Sequence, residues 1–428
     1  MAGLKRKRWR VVLATFAATV LVVVLGANLA LGDKQIDREV PTLYPVEHEQ
    51  FTRTMNVLLG PQILDGNEVD TLVNGDQIFP AMLEAIGAAK KTVNFETYIY
   101  WSGEIGKAFE DALAERARAG VRVNLLFDAV GSGKIDDESI KRMKTAGVRV
   151  EKYNPLRWNT LTQMNNRTHR KLLVVDGLVG FTGGVGIADE WTGDGLDPRR
   201  WRDTHYRLRG PAVAQMQAAF SENWIEATGE VLHGVDHFPA LQRAGEHAAQ
   251  LFVSSPGGGG ESMQLMYLLS IAAAAKSIDL SAAYFVPDNI ERRMLADAAR
   301  RGARVRILVP GPHTDSGVVK RASRASWGEL LRAGVEIYEY QPALFHCKVM
   351  VVDGLWTSVG STNFDSRSFS TNDEANLNVL HAGFAREQIV LFERDLQRSR
   401  RASIEEWQDR PLREKLMEHA SRLLSSQL

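Results

Sequence analysis

The sequence holds one cysteine, Cys347, in 428 residues. A single thiol cannot build a disulfide framework within the chain, and it excludes a cysteine-rich zinc site. Net charge is missing as well: Lys plus Arg total 52 and Asp plus Glu total 52. Composition therefore gives no support to a bulk nucleic-acid binder, although a local basic cleft is compatible with overall neutrality. A continuous basic track is also lacking, because RRGARVRILV (300–309) and KRASRAS (320–326) are locally basic but interrupted.

Charge is absent from one long stretch, VVLATFAATVLVVVLGANLALG at 11–32, which follows the basic KRKRWR at 5–10. Its length suits a helix that crosses a bilayer. The basic cluster belongs on the cytoplasmic side. A cleaved signal peptide usually has a shorter apolar core, so an uncleaved anchor is expected, with the small residues Ala27, Ala30 and Gly32 leaving cleavage open. The expected location is the cell (inner) membrane, single-pass, with the body of the chain on the far side.

What is present is a repeat. AIGAAKKTVNFETYIYW (85–101) matches SIAAAAKSIDLSAAYFV (270–286): an Ala-rich helix ends in lysine and leads into an aromatic strand. ALAERARAGVRVNLLFD (112–128) then matches ADAARRGARVRILVP (296–310), and MKTAGVRVEKY (143–153) matches LLRAGVEIYEY (330–340). Gly120, Gly147, Gly302 and Gly334 stand where helices should stop. The unit is domain-sized, too long for a solenoid. Alternating helices and strands predict an α/β chain of two tandem, pseudo-twofold-related α/β/α sandwich domains behind an N-terminal transmembrane helix. The expected division is 1–35 for the basic N-terminus and anchor, 36–240 for the first domain, and 241–428 for the second with a helical tail. A linker is expected over about 231–260, ending in SSPGGGG (254–260), and the tail 399–428 reads as helical on both sides of Pro411, packed on the body or lying on a membrane.

The repeat ends in HRKLLVVDG (169–177) and HCKVMVVDG (346–354). Side chains alternate along a strand, so His169 and Lys171 share one face, as do His346 and Lys348, while Cys347 points away. The apolar runs 172–175 and 349–352 anchor both strands in a sheet interior. Pseudo-twofold symmetry can bring both His–Lys pairs to the interface between halves, a favoured place for a pocket. Two histidines and two lysines at one spot suit phosphoryl or phosphatidyl transfer: histidine serves as nucleophile or general acid near neutral pH. Lysine supplies fixed positive charge for the phosphoryl oxygens. A metal is not expected, since the lysines would repel a cation.

Each stretch matches the H-x-K-x4-D signature, and the chain resembles the phospholipase D superfamily. The resemblance assigns His169, Lys171, Asp176, His346, Lys348 and Asp353 to the catalytic motifs. The second copy continues GSTNFDSRSF, where Ser361 and Asn363 match the family's G-S-x-N extension, and Glu374 follows where the family places a carboxylate that steadies a catalytic histidine. The first copy continues FTGGVGIADEW, with Gly186 where the family usually has asparagine. ETYIYWSGEIG (96–106), LLFDAVGS (125–132), WRDTHYRLRGPAV (201–213) and AAYFVPD (282–288) narrow the resemblance to bacterial cardiolipin synthase-type members.

The resemblance implies a metal-independent, cofactor-free transfer of a phosphatidyl group between phosphatidylglycerol molecules, with phospholipid and membrane as partners and no nucleic acid. His169 is expected as nucleophile and His346 as acid/base, with Lys171, Lys348 and Asn363 on the phosphoryl oxygens. Glu374 and Asp203 are candidates to orient the two histidines; Asp203 alternatively pairs with Arg200 or Arg202. Asp176 and Asp353 each end a strand before glycine, so a mainly structural role is expected. A phospholipase D using water as acceptor and a nuclease share the same machinery and are the competing readings. Trp101, Trp191, Trp201 and Trp224 are candidates for membrane docking, with a place in the core as the plainer reading for each.

Overall fold

The computed structural model describes residues 2–30, 36, 38–42, 44–155, 165–255 and 260–422. Its strands fall into two series of the same plan. From the middle of the sheet outward, the first half runs Leu64–Val73, Thr204–Arg209, Val179–Gly183, Leu172–Val175, Thr92–Thr97, Arg122–Asp128 and Arg149–Tyr153. The second half runs His247–Ser254, Asn372–Leu380, Trp356–Gly360, Lys348–Val352, Ser277–Ala282, Arg304–Pro310 and Glu336–Tyr340. The outer three strands of each half are parallel, and the helices Glu104–Arg118, Asp137–Thr145, Asn289–Arg300 and Gly317–Arg332 make their crossovers. The inner strands pair antiparallel.

Leu64–Val73 and His247–Ser254 pair antiparallel and join the halves edge to edge in one sixteen-stranded sheet. This corrects the linker expected over 231–260: residues 247–254 form a central strand that also pairs with Asn372–Leu380. The alternation of AAQLFV puts Ala249 and Leu251 into a buried cluster, so the segment joins the sheet rather than the solvent. Residues 256–259 of the expected glycine-rich entry lie outside the described residues.

The unbroken apolar run of each motif strand follows from burial on both faces. Leu173 and Val175 face one helical layer with Phe95, Phe109 and Val123, while Leu172 and Val174 face the other with Met216 and Leu377. The helices Val213–Thr228 and Ala382–Leu396 cover that second face. Gly120 and Gly302 sit at φ +87° and +100° after their helices, a region costly for any residue with a Cβ. The tail packs on the body. Ser399–Arg401 pairs with Glu336–Tyr340, Leu412–Arg422 lies against Gly317–Arg332, and Arg410 reaches Glu418 at 2.9 Å.

At the other end, Ala2–Ala30 forms one helix whose Trp9, Val12, Phe16 and Val22 side chains are exposed. Among the described residues no helix is long and apolar enough to cross a membrane. The side chains at 21 and 24–30 and the residues 31–32, which complete the expected span, lie outside them.

Candidate active site

Each motif strand carries its histidine just before the sheet proper begins. His169 donates its backbone N–H to the carbonyl of Asp373 (2.9 Å), and His346 donates to the carbonyl of Arg202 (2.8 Å). Each histidine is thus tied by its main chain to the opposite half. The side chains repeat the exchange. Nδ1 of His169 lies 2.9 and 3.0 Å from the carboxylate oxygens of Glu374, and Nδ1 of His346 lies 2.7 Å from Oδ2 of Asp203. An ionised carboxylate only accepts, so Nδ1–H donates in both cases and Nε2 is left for chemistry.

The two carboxylates are themselves held. Ser361 Oγ donates to Glu374 at 2.5 Å, and Trp191 Nε1 and the Thr204 N–H donate to Asp203 at 2.9 and 2.8 Å. Asp203 therefore lies on His346, not in the alternative ion pair; Arg202 instead meets Asp395 at 2.8 Å. Ser361 steadies Glu374 and does not line the cavity. Both lysines bend back on their own motifs: Lys171 Nζ donates to the His169 carbonyl (2.7 Å) and Lys348 Nζ to the His346 carbonyl (2.6 Å).

His169, Lys171, His346 and Asn363 line one cavity of about 250 Å³ at the junction of the halves. Lys348 stands behind it, its Nζ 3.1 Å from Nε2 of His346. Asn363 is buried with its Oδ1 lacking a hydrogen-bond partner among the described residues. Burial pushes His169 down to about 4; Glu374 opposes the fall and Lys171 reinforces it. Burial and the neighbouring Lys348 also lower His346, with Asp203 opposing. Burial lowers Lys171 to about 7 and lowers Lys348 too. Burial thus disfavours the charged forms of these basic groups, and an incoming anion favours them again.

Asp176 and Asp353 are elsewhere. Asp176 (φ +53°) and Gly177 (φ +64°) form the two central residues of the tight turn between Leu172–Val175 and Val179–Gly183; Asp353 and Gly354 repeat it at φ +52° and +65°. The Asp176 carboxylate accepts the N–H groups of Lys90, Lys91 and Thr92 at 2.9, 2.7 and 2.9 Å. That of Asp353 accepts those of Ala275, Lys276 and Ser277 at 2.9, 2.7 and 2.8 Å. Each clamps the start of a neighbouring strand.

The chemical contents of the cavity exceed the sequence-predicted set. Tyr98, Arg167, Asp315 and Arg367 also line it. Arg167 was within reach of strand alternation, two residues before His169; Asp315 sits in a loop with no periodic signal. Trp191 and Trp201 line the cavity against His346, at ring distances of 5.4 and 5.2 Å. Trp191 and Trp224 are fully buried, which removes both as docking residues. A Cβ at Gly186 would lie 2.9 Å from Ile99 Cβ and 3.2 Å from the Trp191 ring, so the indole fills the space an asparagine would need. Cys347 faces away from the cavity into a cluster with Leu308, Tyr340 and Phe392, where burial pushes its thiol up to about 12.

The description "Cardiolipin synthase, PLD-like domain" matches residues 82–224 and 267–396, one match in each half. The chain belongs to this family. It is 38% identical over 362 residues to a cardiolipin synthase of Geobacillus kaustophilus (strain HTA426), covering 84% of this chain and 72% of that one. Over 366 residues it is 35% identical to the major cardiolipin synthase of Bacillus subtilis (strain 168), covering 84% and 75%. The phosphatidylserine synthase of Haemophilus influenzae Rd KW20 shares its fold, with a TM-score of 0.68 at 13% identity over 89% of this chain and 99% of that one.

Proposed function

We propose that the protein is a phosphatidyltransferase that makes cardiolipin and glycerol from two molecules of phosphatidylglycerol. The supporting observation is the crossed pair: each histidine is oriented by a carboxylate from the opposite half, and both face one cavity that also holds Lys171 and Asn363. Sequence similarity to cardiolipin synthases across most of the chain supports the choice of lipid.

Nε2 of His169 attacks phosphorus of the first lipid. The bond from phosphorus to the headgroup glycerol breaks, and the leaving oxygen takes a proton from Nε2 of His346. A hydroxyl of the second phosphatidylglycerol then gives its proton to His346 and attacks phosphorus, and the phosphorus–nitrogen bond breaks to release cardiolipin. Lys171 and the amide of Asn363 hold the non-bridging oxygens, and Lys348 adds charge from behind His346, so positive charge stands where negative charge develops. Glu374 and Asp203 fix the imidazole tautomers and stabilise each imidazolium as it forms.

The residues 11–32 anchor the protein in the membrane, with 5–10 on the cytoplasmic side and the catalytic body, divided at about 240, on the other. A C-terminal reporter active only in the cytoplasm overturns that orientation. The reaction is tested by mass spectrometry of lipids after mixing the purified protein with phosphatidylglycerol and EDTA. Cardiolipin plus glycerol is expected, and neither from His169→Ala or His346→Ala. Phosphatidic acid as the main product instead identifies a hydrolase, and untouched lipid with folded protein rejects this substrate.

A further inference from the structure

One phosphodiester needs positive charge at one point, and the lysines with Asn363 supply it. The wall beside His169 carries more. Arg167 begins a two-residue strand in register with Asn372, and Thr168 with Asp373, so its side chain leaves on the same face as His169. Arg167 is 3% exposed and lines the cavity, yet none of its three guanidinium nitrogens has a hydrogen-bond partner among the described residues. It forms a buried ion pair with Asp128 at 3.6 Å, too long for a hydrogen bond, and that Oδ1 is already occupied by the N–H groups of Val130 and Gly131. Arg367 comes to the same wall from the second half, donating one hydrogen bond to the carbonyl of Asn165 at 3.1 Å.

The repeat does not supply this charge twice. The position two residues before His346 is Leu344, and the residue matching Arg367 in the first half is Glu190. The wall beside His346 holds Trp191, Trp201 and Asp315, the last accepting a 2.6 Å hydrogen bond from the Tyr284 hydroxyl. Two near-equivalent histidines explain a symmetric site; they do not explain two arginines on one side. A buried guanidinium without hydrogen bonds is costly unless an anion completes it, and its planar fork fits phosphate oxygens two at a time.

We propose that Arg167 and Arg367 form a second anion subsite, which holds the acceptor lipid's own phosphate while its glycerol hydroxyl attacks the phosphatidyl-enzyme. This rests on the transferase reading above. The attacking hydroxyl and the acceptor's phosphate are joined by a short glycerol bridge, so the two phosphates lie side by side in one cavity whichever histidine carries the phosphatidyl group. Water and free glycerol have no second phosphate and gain nothing from this wall. The subsite therefore selects a phosphoglycerol lipid over water as acceptor, through differential binding in the transfer step.

The test sets two acceptors against each other in the full-length enzyme. Vesicles of phosphatidylglycerol are supplied with isotopically labelled free glycerol, and cardiolipin is compared with phosphatidylglycerol carrying the labelled headgroup. Both products arise from the same first step. In Arg167→Gln and Arg367→Gln the ratio of cardiolipin to exchanged lipid should fall about tenfold or more, the size of one lost charged hydrogen bond. A ratio equal to the wild type, whether both products fall or neither does, overturns the subsite. Arg367→Gln serves where Arg167→Gln fails to fold, because Arg367 is only half-buried. A wild-type enzyme that makes neither product refutes the transferase reading, and calorimetry with inorganic phosphate then decides the subsite alone. Two bound phosphates, reduced to one in either arginine variant, support it; a single phosphate in the wild type overturns it.

Discussion

At the scale of single residues, the site is governed by what stands behind each histidine. Asp203 and Glu374 touch imidazole nitrogens, not the cavity, so their contribution runs through tautomer and charge. Asp203→Asn and Glu374→Gln should each lower kcat roughly a hundredfold, while KM and thermal unfolding stay near wild type. Steady-state kinetics beside a melting curve measures both; a KM change without a kcat change would place these carboxylates on the substrate instead. Gly186 belongs to this scale as well. The Trp191 indole occupies the space a side chain at 186 would need and donates to Asp203, so the small residue makes room for a support of His346.

At the scale of elements, the repeated Asp-Gly is a clamp between strands. Asp353 lies at φ +52°, turns the motif strand back on itself, and ties down three backbone N–H groups at the start of Ser277–Ala282. Alanine would leave those donors without their charged acceptor and would itself be strained in the left-handed region. Asp353→Ala should therefore lose roughly 3 kcal/mol or more of stability, and Asp353→Asn, which tolerates that φ and keeps an acceptor oxygen, distinctly less. Urea denaturation measures the difference. Turnover per folded molecule should change little in either variant, and a stable but inactive Asp353→Ala protein would place the carboxylate in the chemistry.

At the scale of the whole molecule, one sheet carries both halves and the site exists only between them. A mixture of His169→Ala and His346→Ala proteins should remain inactive in the lipid assay, because each chain closes its own cavity. Recovered activity would mean a site shared between chains. The fold also leaves an ionisable group deep in the first half. Glu96 accepts hydrogen bonds from Thr168 and Asn223, and burial raises it to about 7 against the pull of Arg170. A carboxyl raised above its unfolded value of 4.5 lends stability in its protonated form, fully below that value, and loses it as pH rises through about 7. Glu96→Gln keeps the acceptor without the charge. It should match the wild type near pH 4.5 and exceed it at pH 8, by up to about 3 kcal/mol; denaturant unfolding at both pH values checks the sign.

The sequence alone determined the outer elements of each half and the duplication, because both rest on local pattern. Periodicity and glycine stops mark the outer helices and strands of each half. The H-x-K spacing puts His169 with Lys171, and His346 with Lys348, on one strand face whatever the rest of the chain does. The apolar runs 172–175 and 349–352 announced strands buried on both faces, and Asp-Gly announced the turns after them. The family resemblance offered Glu374 and Asp203 as the orienting carboxylates, but which histidine each one meets was decided by the fold, since each reaches its histidine from the opposite half. Nothing in the spacing from His169 to Glu374, or from Asp203 to His346, encodes the 2.9 and 2.7 Å contacts they make. The same holds for the strand 247–254, whose composition reads as a connector until it finds Leu64–Val73 on one side and Asn372–Leu380 on the other. It holds for Arg167 and Arg367, which are unremarked charges in sequence and neighbours on one wall in space. A local pattern fixes where a side chain points; only packing between distant segments decides what it meets.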